Sequence, residues 1–592
     1  MTKAVATARR FGPLAVALAV LGYHVAPLFR EVTSWARQWD ARYFWFVIGV
    51  DRETILHYAQ LPLWNPYYCG GAPHLANPQS SSLSPLTLVP LLLGMPLGYR
   101  IGYALGLLTA LLALRAFART LGLGEVAATV AGAGYAVCGA FAQHMGGGHW
   151  AWMGFALLPL MLRSLHLARD GRRAHVVWGG VVLFLVILHA PIYPMAFGLV
   201  VVGLYAVLIG LDRGVGDRRR LAASVGAALA IIAIGLGLGA FRLIPIAELA
   251  AAHPRKINDI DFTWPRELIE TYAVRHTARA FGDHHQYVFP EFGNYFGWIG
   301  VALVLAGAGL VLWRRRARWP LLAAAVLFIL FQLGNLVPLP WWALKKLPVY
   351  SGLRVPSRFT IVAGMFMCLL VGAVVDEWGA PALAPRGRVA AWRRWAGVGV
   401  LALAVAYLLD AASFNRRQWD QTVGTPPPRD PRAATFHQVA GDRGRMMAFP
   451  PANLGTISCF EETPLPISPR LRGDLPADEY LDDAGAGTVR RVAWSPNRID
   501  LAVDLTRAAT VLVNQNFDPG WRAEGGEVAV AVSNVGGLLA ARVGAGQSAL
   551  TFVYRPRSFL VGLAISVVVA IAAAAFLVHT RRRARLGSVS AP

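Results

Sequence analysis

Apolar runs of about 20 residues alternate with shorter polar breaks through most of this chain. A helix of that length crosses the ~30 Å hydrocarbon layer of a bilayer. The pattern predicts spans near 12–30, 97–118, 125–144, 150–168, 174–190 and 192–211. Others follow near 221–249, 292–313, 319–337, 357–378, 395–413 and 558–579. The predicted fold class is an α-helical polytopic membrane protein of about 12 spans. Two stretches break the rhythm. Residues 31–96 open with WARQWDARYFWFVIGVDRETILHYAQ, whose aromatic and apolar residues recur at mixed spacings of three and four. One or two amphipathic helices lying at the interface are expected there. The following LPLWNPYYCGGAPHLANPQSSSLSP is broken by Pro and Gly. Residues 414–557 carry a linker signal, TPPPRDP at 425–431, and then short alternating runs: RIDLAVDL, ATVLVNQNF, EVAVAVS, GLLAARV and SALTFVY. They predict a C-terminal extracytoplasmic β-sandwich-like domain at 490–556, while 432–489 has no assignable pattern. The expected organisation is a multi-span domain over 1–413 with external loops 31–96, 250–291 and 338–356. The β-rich domain 414–557, a final transmembrane helix at 558–580 and a basic tail at 581–592 complete it.

Composition narrows the class. Of the 592 residues, 56% are hydrophobic and only 15% charged, against ~25% charged in a soluble domain. Mean hydropathy is +0.46. Disorder, collagen and an ordinary cytosolic enzyme are excluded. The net charge of +23 would suggest nucleic acid in a soluble chain. Here the arginines cluster at the ends of apolar runs, so topology accounts for them and no nucleic-acid partner is expected. Lys3, Arg9 and Arg10 precede the first span, which lacks a small-residue cleavage site and is read as retained. Counting from a cytoplasmic N-terminus, every even-numbered span ends at arginines: Arg115 and Arg119; Arg163 to Arg173; Arg213 to Arg220; Arg314 to Arg318; Arg386 to Arg394; Arg581 to Arg585. That alternation places both termini in the cytoplasm. Cys138 and Cys368 fall in apolar runs as packing residues, whereas Cys69 and Cys459 would both be extracytoplasmic and able to pair. No cysteine spacing suggests a metal or a disulfide scaffold. Walker, GxSxG, HExxH and dinucleotide motifs are absent.

Ionisable groups at or near membrane depth are costly, so they mark the places to look for chemistry. Asp40 lies among Trp39, Tyr43, Phe44 and Trp45. Desolvation there would raise its pKa toward that of a general base; a surface carboxylate paired with Arg37 or Arg42 is the plainer alternative. Asp51, in GVDRET, reads as solvated and as a cap for a helix starting at Glu53. Arg354 and Arg358 in SGLRVPSRFT sit outside, against the positive-inside bias, four apart at the start of a helix and so on one face. Their fork suits a lipid phosphate, or else anchors at headgroups. Asn65, Asn77 and Gln79 are sugar-hydroxyl partners or turn residues. His144, His149 and His189 read as amphipathic interface residues or substrate contacts. Asp259 with Asp261, and Asp283 with His284 and His285, read first as solvated loops and second as metal ligands. Glu291 opens a span and would face its dipole.

Five motifs in order carry a wider resemblance. An Asp lies 21 residues before LPLWNPYYCGG; LANPQSSSLSP, EFGNYFGWIG and LPVYSGLRVPSRF follow, then NQNFDPGWRA with VYRPRSFLVGLAIS. Together these resemble the bacterial YfhO-like membrane protein family, which is similar to the GT-C glycosyltransferases. The resemblance implies an enzyme of the bacterial cytoplasmic membrane. It would move a sugar from a polyprenyl-phosphate donor to an envelope glycan or lipid acceptor outside the membrane. The family's acid falls on Asp40, and its RxPxR stretch on Arg354, Pro356 and Arg358. Where relatives show Gly-His-Pro-Gln this chain has LHAPIYP, which keeps His189 without the glutamine. One base acting alone implies inversion at the anomeric carbon. Phosphate leaves without obligatory help, so no cofactor is expected and a divalent metal is not predicted. A transporter or flippase of lipid-linked sugars and a non-catalytic envelope assembly protein are the alternatives. The topology is testable by cysteine accessibility: a probe cysteine at Ser495 is expected to react from outside intact cells. Labelling only after the inner face is opened would reverse the orientation.

Overall fold

The computed structural model describes residues 3–30, 39–189, 191–214, 216–255, 257, 260–314, 318–383, 390–421, 424, 430–441, 443–459, 465, 467–525 and 530–589. Among the described residues, nine helices are long and apolar enough to cross a membrane. They are Phe11–Phe29, Leu97–Thr120, Glu125–Gly146, Trp150–Arg169, Tyr193–Gly210, Arg218–Leu238, Pro356–Leu383, Ala391–Asp420 and Arg557–Arg582. Three shorter apolar helices, Ala174–His189, Gly297–Trp313 and Trp319–Gln332, occupy the remaining predicted positions. Length and composition therefore qualify nine of the twelve expected spans. The expected span 221–249 is two helices, Arg218–Leu238 and Ala240–Ala252, meeting at Gly239. The second packs on the final helix, where Gly562 lies so close to Ala240 that a Cβ would stand 2.4 Å from its carbonyl oxygen.

The most enclosed element is Thr360–Val374, all of whose residues are buried. Its sequence, TIVAGMFMCLLVGAV, is apolar on every face, as a helix surrounded by other helices must be. Helices Glu125–Ala136, Gly297–Trp313 and Trp319–Gln332 pack around it. Gly307 lets one of them approach to where a Cβ would sit 2.5 Å from the Leu370 carbonyl.

The segment expected to lie at the interface, 31–96, is not an interfacial amphipath. Helix Trp39–Arg52 buries Tyr43 through Ile48, and its rings meet others on several sides: Trp45 against Tyr99, Phe46 against Tyr68. Mixed aromatic spacing here reflects a helix wedged into the protein rather than one floating on lipid. Residues 35–38 of that motif lie outside the described residues.

Beyond the membrane helices, eight strands form two four-stranded sheets. One orders Val532–Val535, Leu538–Val543, Ala509–Asn516 and Glu479–Leu481; the other orders Gly487–Ser495, Arg498–Leu505, Gly546–Tyr554 and Trp521–Gly525. RIDLAVDL behaves as its alternation demands: Ile499, Leu501, Val503 and Leu505 are buried between the sheets. Strand Glu479–Leu481 comes from the stretch whose pattern was unassignable. Most of the 425–431 linker signal lies outside the described residues, as does the start of EVAVAVS.

This domain is stitched to the loop that follows helix Trp39–Arg52. Trp64 joins the sandwich core beside Trp521 and Tyr554 and donates its indole N–H to Gln515 Oε1 at 2.8 Å. The Asn516 amide donates to the carbonyls of Cys69 (2.6 Å) and Gly71 (2.9 Å). Gly71, at φ +103°, brings the loop so near Trp64 that a Cβ would lie 2.6 Å from its ring. Cys69 and Cys459 form a disulfide, while Cys138 and Cys368 are free and buried. Thiol counting tests this arrangement: denatured, unreduced protein is expected to expose two thiols, and reduced protein four. Changing both Cys69 and Cys459 to Ser should cost ~2–4 kcal/mol of stability in a denaturant titration.

Candidate active site

Six of the expected site residues converge on one cavity of about 190 Å³: Asp40, Gln79, His149, Glu291, Arg354 and Arg358. Tyr43, Phe44, Trp152, Tyr193 and Arg255 complete much of its wall. The six expected residues come from five separate stretches of chain.

Asp40 stands in the first turn of helix Trp39–Arg52. His149 reaches it from the glycine turn after helix Gly139–Gly146, its Nε2 2.9 Å from Asp40 Oδ2. The turn depends on Gly148, at φ +94°; a Cβ there would lie 2.3 Å from the Ala41 backbone nitrogen. Tyr99 fixes the same turn by donating to the Gly148 carbonyl at 3.0 Å. The two histidines read as amphipathic are thus an organised pair. Their Nδ1 atoms lie 3.0 Å apart, so one carries the hydrogen and the other the lone pair. His144 also stacks on Trp152 at 3.6 Å and lies 3.8 Å from Glu291 Oε2.

Glu291 then meets Arg358 in a two-pronged pair: Nε to Oε2 and Nη2 to Oε1, both at 2.7 Å. The Arg358 plane also lies over the Tyr193 ring at 4.2 Å. Burial pushes the Glu291 carboxyl up, but the Arg358 charge outweighs it and holds the group far below its ordinary range. Glu291 is therefore not the dipole partner of a span; it neutralises a buried guanidinium. Arg358, 5% exposed at its side chain, already has its fork filled by a carboxylate. Arg354 is more open, set against the Tyr287 ring at 5.7 Å. Val355 between them takes φ +64°, a left-handed value costly for a β-branched residue. Hence the two arginines enter the cavity from a loop and a helix start, not from one helix face.

Asp40 departs from its expected chemistry. Its side chain is 54% exposed at the cavity mouth. Burial of its surroundings raises the carboxyl, yet the hydrogen bond and charge of His149 more than reverse this and hold it below its ordinary value. It is an ionised base rather than a raised one. Asp51 departs too: it is wholly buried, 2.8 Å from His74 Nε2, and sits inside the helix rather than capping the next.

The other candidates lie outside the cavity wall. Asn65 accepts from the Tyr67 N–H at 3.0 Å, and Asn77 accepts from the Gln79 N–H at 2.9 Å while donating to Tyr43 Oη at 2.7 Å. Both are turn residues; Asn77 orients a wall residue. His189 is buried, its Nε2–H given to the Trp150 carbonyl at 3.0 Å and its Nδ1 accepting from Ser84 at 2.8 Å. It braces the LANPQSSSLSP loop, as does Arg242, which donates to the Ser80 and Leu188 carbonyls. Asp259 lies outside the described residues. Sequence reasoning missed Trp152, Tyr193 and Arg255; the sign that existed for the first was the HMGGGHWAW string, with glycines between two histidines and an aromatic pair. A larger cavity of about 400 Å³, between Glu248, His253, Asp518 and Tyr554, contains none of the expected site residues.

No family model matches the chain, and no curated protein matches it by sequence. Solved structures do. An oligosaccharyltransferase of Archaeoglobus fulgidus, tethered to an acceptor peptide, is 13% identical, with a TM-score of 0.45 over 77% of this chain and 65% of that one. The arabinofuranosyltransferase AftD from Mycobacteria is 17% identical, TM-score 0.43, over 69% and 27%. ArnT from Cupriavidus metallidurans, bound to undecaprenyl phosphate, is 15% identical, TM-score 0.38, over 76% and 86%. These neighbours are GT-C glycosyltransferases. This chain spans under two thirds of the oligosaccharyltransferase and about a quarter of AftD. The YfhO-like resemblance stands on its motifs alone.

The Glu291–Arg358 pair generates a stability test. Glu291→Gln leaves a buried guanidinium unanswered and should cost ~3–5 kcal/mol. The double change Glu291→Gln with Arg358→Met should recover much of that loss. Thermal unfolding of the detergent-solubilised variants measures both.

Proposed function

We propose that the chain is a membrane glycosyltransferase that takes a sugar from a polyprenyl-phosphate donor on the extracytoplasmic side. The observation carrying this reading is the cavity that gathers the Asp40 and Glu291 carboxylates, His149 and three arginines beside the membrane helices. The twelve-span topology, with both termini in the cytoplasm and the bacterial cytoplasmic membrane as location, belongs to the same proposal.

In this mechanism the Asp40 carboxylate accepts the proton of an acceptor hydroxyl. The freed oxygen attacks the anomeric carbon from the face opposite the phosphate, and the C–O bond to phosphate breaks with its electron pair staying on the phosphate oxygen. Inversion follows from the single displacement. His149 holds Asp40 in place through its Nε2–H. Because that bond keeps the base weakly basic, proton transfer proceeds together with carbon–oxygen bond formation rather than before it. Arg354 and Arg255 offset the charge growing on the phosphate. Arg358 serves differently from first expectation: committed to Glu291, it shapes the wall and adds its field at a distance. The aromatic faces of Trp152, Tyr193 and Phe44 suit a sugar ring's apolar side, and Gln79 its hydroxyls.

Purified protein assayed against undecaprenyl-phosphate sugars tests this. Asp40→Asn is expected to lower turnover ~10²-fold or more with the fold intact. Transfer at the parent rate would end the general-base role, and substrate flipping without transfer would favour a transporter. Asp51→Asn instead should reduce stability, since its His74 partner is buried. The pH profile adds a sign. Asp40 stays ionised as pH falls past the ordinary carboxylate value, because the hydrogen bond and charge of His149 hold it lower, so the acid limb should lie beneath that ordinary value. Replacing His149 with Ala removes the lowering partner and leaves the raising effect of burial, which should move that limb to higher pH.

A further inference from the structure

Outside the cavity, the segment 260–292 gathers a second set of groups. Glu267 and His284 approach to 2.9 Å between Oε1 and Nε2, and His285 Nε2 lies 3.3 Å from the same Oε1. One ligand atom from each of the three lies within 4.8 Å of the others. Ligands bound at ~2.0–2.1 Å on a tetrahedron stand ~3.4 Å apart, so two of these separations already match and the third must close modestly.

Two further features point toward a ligand. The His285 side chain is fully buried, pressed between the rings of Phe281 (4.8 Å) and Phe292 (4.6 Å), yet its Nε2 makes no hydrogen bond. Its other nitrogen, Nδ1, is 2.9 Å from Asp261 Oδ1. A carboxylate on Nδ1 places the hydrogen there and turns the lone pair of Nε2 outward, the arrangement that prepares a histidine for a metal. Glu267 is fixed likewise: its Oε2 accepts from the Trp264 N–H at 2.7 Å, leaving Oε1 toward the histidines. His284, 38% exposed at its side chain, leaves an entry path and room for water as fourth ligand.

We propose that Glu267, His284 and His285 bind one divalent transition-metal ion, with zinc the ion best suited to two imidazoles and a carboxylate, and with Asp261 orienting His285. The ion would fasten 282–288 to the turn at 261–267. That turn is itself tied to Leu333–Asn335, where Asn335 donates to the Asp261 carbonyl and Phe262 bridges Gly334. The fastened strip continues into Tyr287, beneath Arg354, and Glu291, the partner of Arg358. The ion is thus a positioning element for one cavity wall and not a participant at Asp40. It stands independently of the glycosyltransferase reading.

The test uses full-length protein purified without a histidine tag, stripped with EDTA and titrated with zinc chloride alone, the bound metal being counted by mass spectrometry. One zinc per chain is expected. His284→Ala, at the exposed ligand, should weaken binding by more than the ~10–100-fold expected of Asp261→Asn, and Glu267→Gln and His285→Ala should abolish it. Zinc should also slow amide exchange over 282–288 in the parent but not in His284→Ala. Failure of the parent to bind zinc would overturn the proposal. Full-affinity binding retained by both His284→Ala and Glu267→Gln would overturn it equally, because the ion would then sit elsewhere.

Discussion

A guanidinium removed from water must be answered by a carboxylate, and the Arg358–Glu291 pair is where this chain meets that demand. Arg358 directly precedes the fully buried helix Thr360–Val374, on which Glu125–Ala136, Gly297–Trp313 and Trp319–Gln332 pack, so its position is set by that packing. Glu291 ends a long connection that has little regular structure of its own. Their two short hydrogen bonds transfer the rigidity of the core to the loop. Through His144 the same contact reaches His149 and then Asp40. One side of the cavity is therefore a relay of paired polar side chains laid between the start of helix Thr360–Val374 and helix Trp39–Arg52.

Much of the membrane architecture was legible because the bilayer imposes a length. Each predicted span meets an apolar helix, even where Ala174–His189, Gly297–Trp313 and Trp319–Gln332 fall short of full length. The break at Gly239 was not read, since the apolar run passes through Gly235, Gly237 and Gly239 as far as Phe241 with no polar residue to mark a boundary. Helix Trp39–Arg52 misled for a related reason. Its hydrophobic residues occupy nearly all faces, which periodicity reports only as a blurred amphipath. In the sandwich, alternation exposed the longer strands, but the three residues Glu479–Leu481 are too few to show a period.

At the site, residue types were more readable than their partners. Asp40, Arg354 and Arg358 stood out by charge in an apolar setting, and all three line the cavity. What charge alone could not reveal is who neutralises whom. Local spacing suggested Arg37 or Arg42 for Asp40, whereas His149 arrives from 109 residues away. Asp51 looked solvated because Arg52 and Glu53 adjoin it; the buried contact with His74 comes from the next loop. Long-range pairing of this kind also inverted the expected behaviour of Asp40, from a carboxyl raised by its aromatic neighbours to one lowered by a histidine.

The stitching of the loop after helix Trp39–Arg52 to the sandwich has a bearing on biosynthesis. Trp64, Cys69 and Gly71 leave the ribosome early, yet Cys459, Gln515 and Asn516 come some 390 to 450 residues later. Until those late residues arrive, the early loop lacks its covalent tie, its indole acceptor and the amide that gathers its carbonyls. The 64–71 loop thus gains these ties only when nearly the whole polypeptide has been made. A nascent chain truncated before the sandwich would already hold every candidate site residue, with the 64–71 loop still untied. Assembly order, rather than the presence of the right side chains, then decides when the protein becomes competent.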